Sequence, residues 1–328
     1  MAVISPTKTA VRWGPERWQV FDYYAHPTRD QDTGNPCLIY RHGGGGWTSS
    51  YKEPWPDAAT LRPLIDYLHS NSRTTHFDII SIETAQRGYT DAVDAVSGIR
   101  PTKLAWLPDQ ITDLKRGICA IKRWGVGVDN DTGFRINPFK LILCGNSHGG
   151  LLAGLATMTA PLLGHGAQYS YLHRLWEPKG YDSTTRGVIL SGAQVDCRNI
   201  GGTDYIGFAN TYAWFGTRYD LNTEWNALSS HMKTSMSIRA YFENGDTSFY
   251  TPMFTLYGET GAHTYPLSDP HDSVQRTDLN TAIANAKLPY DSYLYTSTSD
   301  AAMHAAVYNW MVSRITADGL GELQATPV

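Results

Sequence analysis

Residues 141–154 read LILCGNSHGGLLAG. Ser147 stands between Gly145 and Gly149, where an apolar, strand-like run gives way to small and apolar residues at helical spacing. A hydroxyl at such a junction sits on a sharp turn. Glycines on either side remove side chains that would clash where strand and helix close tightly, so the hydroxyl is held up above the sheet. The start of the helix adds its dipole and unshared N–H groups, which favour a developing oxyanion. A five-residue glycine and serine pattern is weak alone; a strand before it and a helix after it mark Ser147 as a candidate nucleophile.

A second chemically suggestive stretch lies upstream, where CLIYR (37–41) runs into His42-Gly43-Gly44-Gly45-Gly46-Trp47. No Gly-Lys-Ser/Thr follows, so this is not a phosphate loop. Glycines after a strand let backbone N–H groups approach a substrate carbonyl closely, which is what an oxyanion hole requires. The eleven histidines show no H-E-x-x-H spacing and the four cysteines no C-x-x-C pair, so neither a metal nor a cofactor is expected. Cys37, Cys119, Cys144 and Cys197 all fall in or beside apolar elements and read as buried reduced thiols.

Elements able to position these groups recur along the chain. Strand-like runs are CLIYR, FDIISIE (77–83), FKLILC (139–144), RGVILS (186–191), IRAYFE (238–243) and SYLYT (292–296). They are continuously apolar rather than alternating, as in a sheet covered on both faces. Between 107 and 124 Leu107, Ile111, Leu114, Ile118, Ile121 and Trp124 recur at spacings of three and four, with Pro108 suited to a first turn. Strands alternating with helices predict an α/β fold with a mostly parallel sheet. No repeat or low-complexity linker divides residues 1–328, so one domain is expected. Residues 197–236 stand apart. Their aromatics, Tyr205, Phe208, Tyr212, Trp214, Phe215, Tyr219 and Trp225, suit either a lid over a pocket or a helical cover for the sheet.

With 328 residues, 41% hydrophobic and a formal net charge of -4, the chain is ordinary globular material. It lacks the clustered Lys and Arg of a nucleic-acid partner. No apolar run reaches the length of about 18 residues needed for a membrane span, and the first residues, MAVISPTKTAVRWGPE, have no signal-peptide core. A cytoplasmic chain is the expectation.

Taken together, the strand-HGGGGW and strand-GNSHG-helix arrangements resemble the α/β-hydrolase superfamily, specifically esterases and lipases with an HGGG-type oxyanion loop before a GxSxG nucleophile elbow. The likeness runs over about residues 18–316, with WQVFDYYAHP (18–27) similar to the family's early antiparallel strands. It implies Ser147 as nucleophile and an oxyanion hole from the His148 N–H with Gly44 and Gly45. Counting back from Trp47 selects Gly45 and Gly46 instead, because the loop carries one glycine more than usual. The family order Ser, Asp or Glu, His implies a base after the last strand, which selects His304 over His271 and His263. The acid it implies is Asp246, after IRAYFE, with Asp196 as rival.

The resemblance therefore predicts a serine carboxylic-ester hydrolase acting on a small-molecule acyl or aryl ester. Trp47 and Trp214 are the substrate-binding candidates, and feruloyl, acetyl-carbohydrate and short polyester substrates all suit an aromatic pocket. A serine peptidase or amidase on the same fold and a non-catalytic binding protein on that scaffold are the alternatives.

Overall fold

The computed structural model describes residues 6–14, 19–28, 30, 32–43, 66–70, 73–84, 107–125, 135–159, 183–196, 198–200, 203–204, 233–234, 236–245, 247, 250–259, 271–297 and 300–317. Eight strands form one sheet: β1 (Lys8–Arg12), β2 (Val20–Tyr24), β3 (Asn35–Arg41), β4 (Asp78–Ile82), β5 (Ile136–Asn146), β6 (Gly187–Ser191), β7 (Met253–Gly258) and β8 (Tyr290–Tyr295). Their spatial order is β1-β2-β4-β3-β5-β6-β7-β8. β2 runs antiparallel to both neighbours, and every pairing from β4 across to β8 is parallel.

The continuous apolar runs are explained by cover on both faces. Cys37, Ile39, Leu141, Leu143, Val188 and Leu190 enter one core with helices α1 (Leu107–Gly125), α2 (His148–Met158), α3 (Ile238–Glu243) and α4 (Val274–Asn285). Their alternates Leu38, Tyr40, Ile142, Cys144 and Ile189 enter a second core with Met303, Val307, Trp310 and Met311 of α5 (Ala301–Thr316). This is the α/β-hydrolase fold that the motifs imply. α1 begins where the spacing places it, with Pro108 in its first turn and Ile111, Leu114, Ile118 and Ile121 fully buried. Among the described residues no helix is long and apolar enough to cross a membrane. Cys37, Cys119 and Cys144 are free and buried; burial pushes the Cys144 thiol up to about 12.

One element differs from expectation. IRAYFE is the helix α3, and the strand beside β6 comes from MFTLYG instead. A six-residue apolar run carries too little period to decide between the two states. The helix is favoured because Ile238, Tyr241 and Phe242 then share the buried side, while Arg239 pairs with Glu243 one turn on at 2.6 Å. Asp246 therefore follows a helix rather than a strand, and itself lies outside the described residues. Of the 197–236 segment, Asn199–Ile200 and Thr203–Asp204 form a small antiparallel pair. Its aromatics from Tyr205 to Trp225 lie outside the described residues.

Three histidines gather beside the start of β4. The His26 ring stacks on His76 at 4.2 Å and meets His69 edge-on at 5.4 Å. Burial, helped by the neighbouring His26, pushes His69 down from the ordinary 6.5 to about 4. His26 is also lowered, by burial and by His76.

Two outcomes follow from this packing. Ile238→Ala should cost about 2–5 kcal/mol in urea unfolding, because it empties a fully buried site. Glu243→Ala, by contrast, removes two partly exposed ion pairs, to Arg239 and Arg198, and should cost at most about 1 kcal/mol for each; a loss equal to that of Ile238→Ala would contradict the assignment of α3. For His69 the folded value lies below the unfolded one, so proton uptake favours the unfolded chain. Its contribution is whole above about 6.5 and is lost as pH falls toward about 4. His69→Phe should accordingly flatten the fall of the urea midpoint between those values, and an unchanged slope would contradict the linkage.

Candidate functional site

Ser147 joins β5 to α2 with φ 52° and ψ -121°, a left-handed backbone that a non-glycine residue adopts only under constraint. The constraint is visible in the hydrogen bonds. Ser147 N–H donates to Ser191 O at the end of β6 at 2.9 Å, while the Ser147 carbonyl accepts from the N–H groups of Gly150 and Leu151.

The surrounding glycines permit no side chain. A Cβ on Gly145 would overlap the carbonyl of Gly149, and one on Gly149 would overlap the carbonyl oxygens of Arg41 and His42. Gly43, the first glycine of the HGGGG stretch, lies directly against the nucleophile candidate: a Cβ there would stand 2.8 Å from Ser147 Cβ. The two motifs, about a hundred residues apart in sequence, thus meet backbone to backbone.

Buried polar ties hold the ends of β3 and β4 in that position. Arg41 is fully buried; its Nε donates to Thr84 Oγ1 at 3.0 Å and its Nη1 to the His42 carbonyl at 3.1 Å. His42 Nε2 faces Glu83 Oε1 at 2.5 Å. On the other side of the elbow His148 is fully buried, with Nε2 at 2.6 Å from Gln110 Oε1 on α1.

The imidazole at Ser147 is that of His271. Its Nε2 lies 2.7 Å from Ser147 Oγ, hydrogen-bond distance between a hydroxyl and a ring nitrogen. A Cβ on Gly192, whose φ is +51°, would meet the His271 ring at 3.5 Å, an ordinary van der Waals contact. His271 occupies the turn that leads into α4.

His304, the base that chain order selects, follows the last strand of the sheet. It is the fourth residue of α5, whose neighbours Met303 and Val307 belong to the second core, and its ring lies 5.5 Å from that of Tyr67. His271 precedes the last strand, so chain order does not select it. Its signal was MFTLYG: read as a strand, it sends the following residues to the sheet edge where Ser147 stands. Asp196, the rival acid, is fully buried and committed elsewhere. Arg198 donates to both of its oxygens at 2.8 and 2.6 Å, and Arg239 lies 3.8 Å away. Gly44, Gly45, Gly46, Trp47, Trp214 and Asp246 lie outside the described residues. Among the described residues no group of three or more His, Cys, Asp or Glu is arranged to hold a metal ion.

No protein-family model and no curated protein matches the sequence. Solved structures do match its fold. A truncated carbohydrate esterase from gut microbiota superposes with a TM-score of 0.62 at 16% identity, over 96% of this chain and 99% of that one. Esterase B from Lactobacillus rhamnosis gives 0.58 at 12% identity, over 95% and 87%. An acetyl ester-xyloside bifunctional hydrolase from Caldicellulosiruptor lactoaceticus gives 0.51 at 13% identity, over 96% of each. At such identities the likeness is one of fold.

The glycine contacts generate a sharp outcome. Gly149→Ala places a methyl group against two backbone carbonyls that cannot swing away, so α2 must retreat from β3. The variant should lose several kcal/mol of stability, in the range of about 1–3 or more for overpacking, measured by thermal unfolding. A Gly149→Ala protein with unchanged Tm would contradict the close approach.

Proposed function

We propose that this chain is a serine carboxylic-ester hydrolase in which Ser147 is the nucleophile and His271 its general base. The observation that carries the reading is the 2.7 Å contact between His271 Nε2 and Ser147 Oγ on a strained turn. Support for ester chemistry comes from the neighbours of the same fold, all three of which are named for ester hydrolysis.

In this mechanism Ser147 Oγ–H donates to His271 Nε2, which takes the proton as Oγ attacks the acyl carbonyl. The carbonyl oxygen becomes an oxyanion held by the N–H of His148 and by those of Gly44 and Gly45. Collapse expels the alcohol, which receives the proton from His271. Water, deprotonated by the same imidazole, then releases the acid and restores Ser147. With α3 in place of a strand, chain order no longer selects Asp246 as the acid. The substrate class is a small or medium acyl ester, and acetyl groups on a carbohydrate are its leading form, since one neighbour is named a carbohydrate esterase and another an acetyl ester-xyloside hydrolase. Trp47 and Trp214 remain the proposed pocket aromatics.

A second reading of the base rests on strand order. With β7 at Met253–Gly258 and β8 at Tyr290–Tyr295, the order Ser, acid, His takes its base from α5, where His304 lies, and its acid from the segment after β7, where Asp272 lies. A single variant panel separates the two. With p-nitrophenyl acetate, Ser147→Ala and His271→Ala should each lower kcat by about 10³-fold or more, while His304→Ala should stay within about tenfold of wild type. A large loss in His304→Ala with turnover retained in His271→Ala would move the base to α5. Equal hydrolysis of p-nitroanilide analogues would replace the ester reading by an amidase.

A further inference from the structure

We propose that Gln110 is a positioning residue for the oxyanion-stabilising N–H of His148, acting from α1 through the buried His148 ring; this rests on the reading of Ser147 as nucleophile. Gln110 lies in the first turns of α1, fully buried, next to Ile111 and one turn from Leu114. A buried amide is costly unless its polar atoms are bonded. Its side-chain oxygen takes the Nε2–H of His148 at 2.6 Å, across 38 residues of sequence.

The residue held in this way is the one whose N–H follows the nucleophile. Helix α2 is otherwise apolar, HGGLLAGLATM, with Gly149 packed against the carbonyls of Arg41 and His42, Gly150 against Ala193 and Gly154 against Ile238 and Leu190. His148 is the sole polar side chain of its first two turns. Close packing sets how near α2 lies to the sheet, but it supplies no directional tie at the side chain of the first residue. An oxyanion donor must nevertheless sit within about 2.7–3.1 Å of the developing charge. The directional bond from Gln110 fixes the azimuth of the first turn and with it the aim of the His148 N–H.

The same pair of helices supplies a control. Lys115, five residues along α1, donates from Nζ to the carbonyl of Thr159 just beyond the far end of α2. Loss of that tie weakens the packing of α1 on α2 without touching His148.

The test measures kcat and KM with p-nitrophenyl acetate, together with Tm, in four variants. Gln110→Met should lower kcat about tenfold to a hundredfold with KM within about twofold, since a misaimed donor weakens the transition state rather than substrate binding. Gln110→Asn, one methylene short, should show the same kcat loss and serves if the Met variant does not fold. Gln110→Glu keeps an acceptor for Nε2–H and should recover kcat to within about threefold of wild type. Lys115→Met should lower Tm while leaving kcat unchanged. Wild-type kcat in folded Gln110→Met or Gln110→Asn, failure of Gln110→Glu to recover, or an equal kcat loss in Lys115→Met would each overturn the inference. Absence of Ser147-dependent turnover in the wild type would instead overturn the reading beneath it.

Discussion

The architecture of the site depends on one steric fact: between the end of β5 and the start of α2 there is room for hydrogen and nothing larger. Gly145 meets the carbonyl of Gly149, and Gly149 in turn meets the carbonyls of Arg41 and His42. Because strand and helix close this tightly, the residue between them is driven to a positive φ and its side chain stands clear of both. That residue is Ser147. The same contact brings the end of β3 under α2, with Gly43 directly against the nucleophile candidate. A strain of order 1–3 kcal/mol at one backbone position is sustained by two cores that close over the sheet from either side.

Buried polar groups complete what packing alone leaves loose. Arg41, His42, Glu83 and Thr84 tie the ends of β3 and β4 to each other, and Gln110 ties α1 to α2 through His148. Farther along the sheet edge, Asp196 is locked by Arg198 and Arg239, with Glu243 bridging the same two guanidiniums. Asp196, the fully buried charge of this group, is tolerated because it is paired, and leaving it without Arg198 would cost more than the pair is worth. Catalysis by oriented dipoles requires such rigidity, since donors that must reorganise during the reaction stabilise little.

Much of this was legible in the sequence, and the reason is locality. β3, β5, β6, α1 and α5 each announce themselves within a few residues through burial on both faces or through helical spacing. The elbow does so through two glycines and a serine at a strand-to-helix change. What local sequence does not carry is non-local or too short. IRAYFE and MFTLYG are both six-residue runs too short for a period, and IRAYFE becomes the helix chiefly because Ile238, Tyr241 and Phe242 then share one buried side. His271 reaches Ser147 across 124 residues, and its neighbours, Asp-Pro-His-Asp, are ordinary turn formers. No local pattern records such a meeting.

The central claim is that Ser147 is an activated nucleophile at a preformed acyl-transfer site. Its most direct measurement is stoichiometric reaction with a fluorophosphonate, followed by peptide mapping of the adduct. The claim predicts one label per chain, carried on Ser147 in the peptide that spans the end of β5 and the start of α2. A label on any other residue, or no label on folded protein, would contradict it.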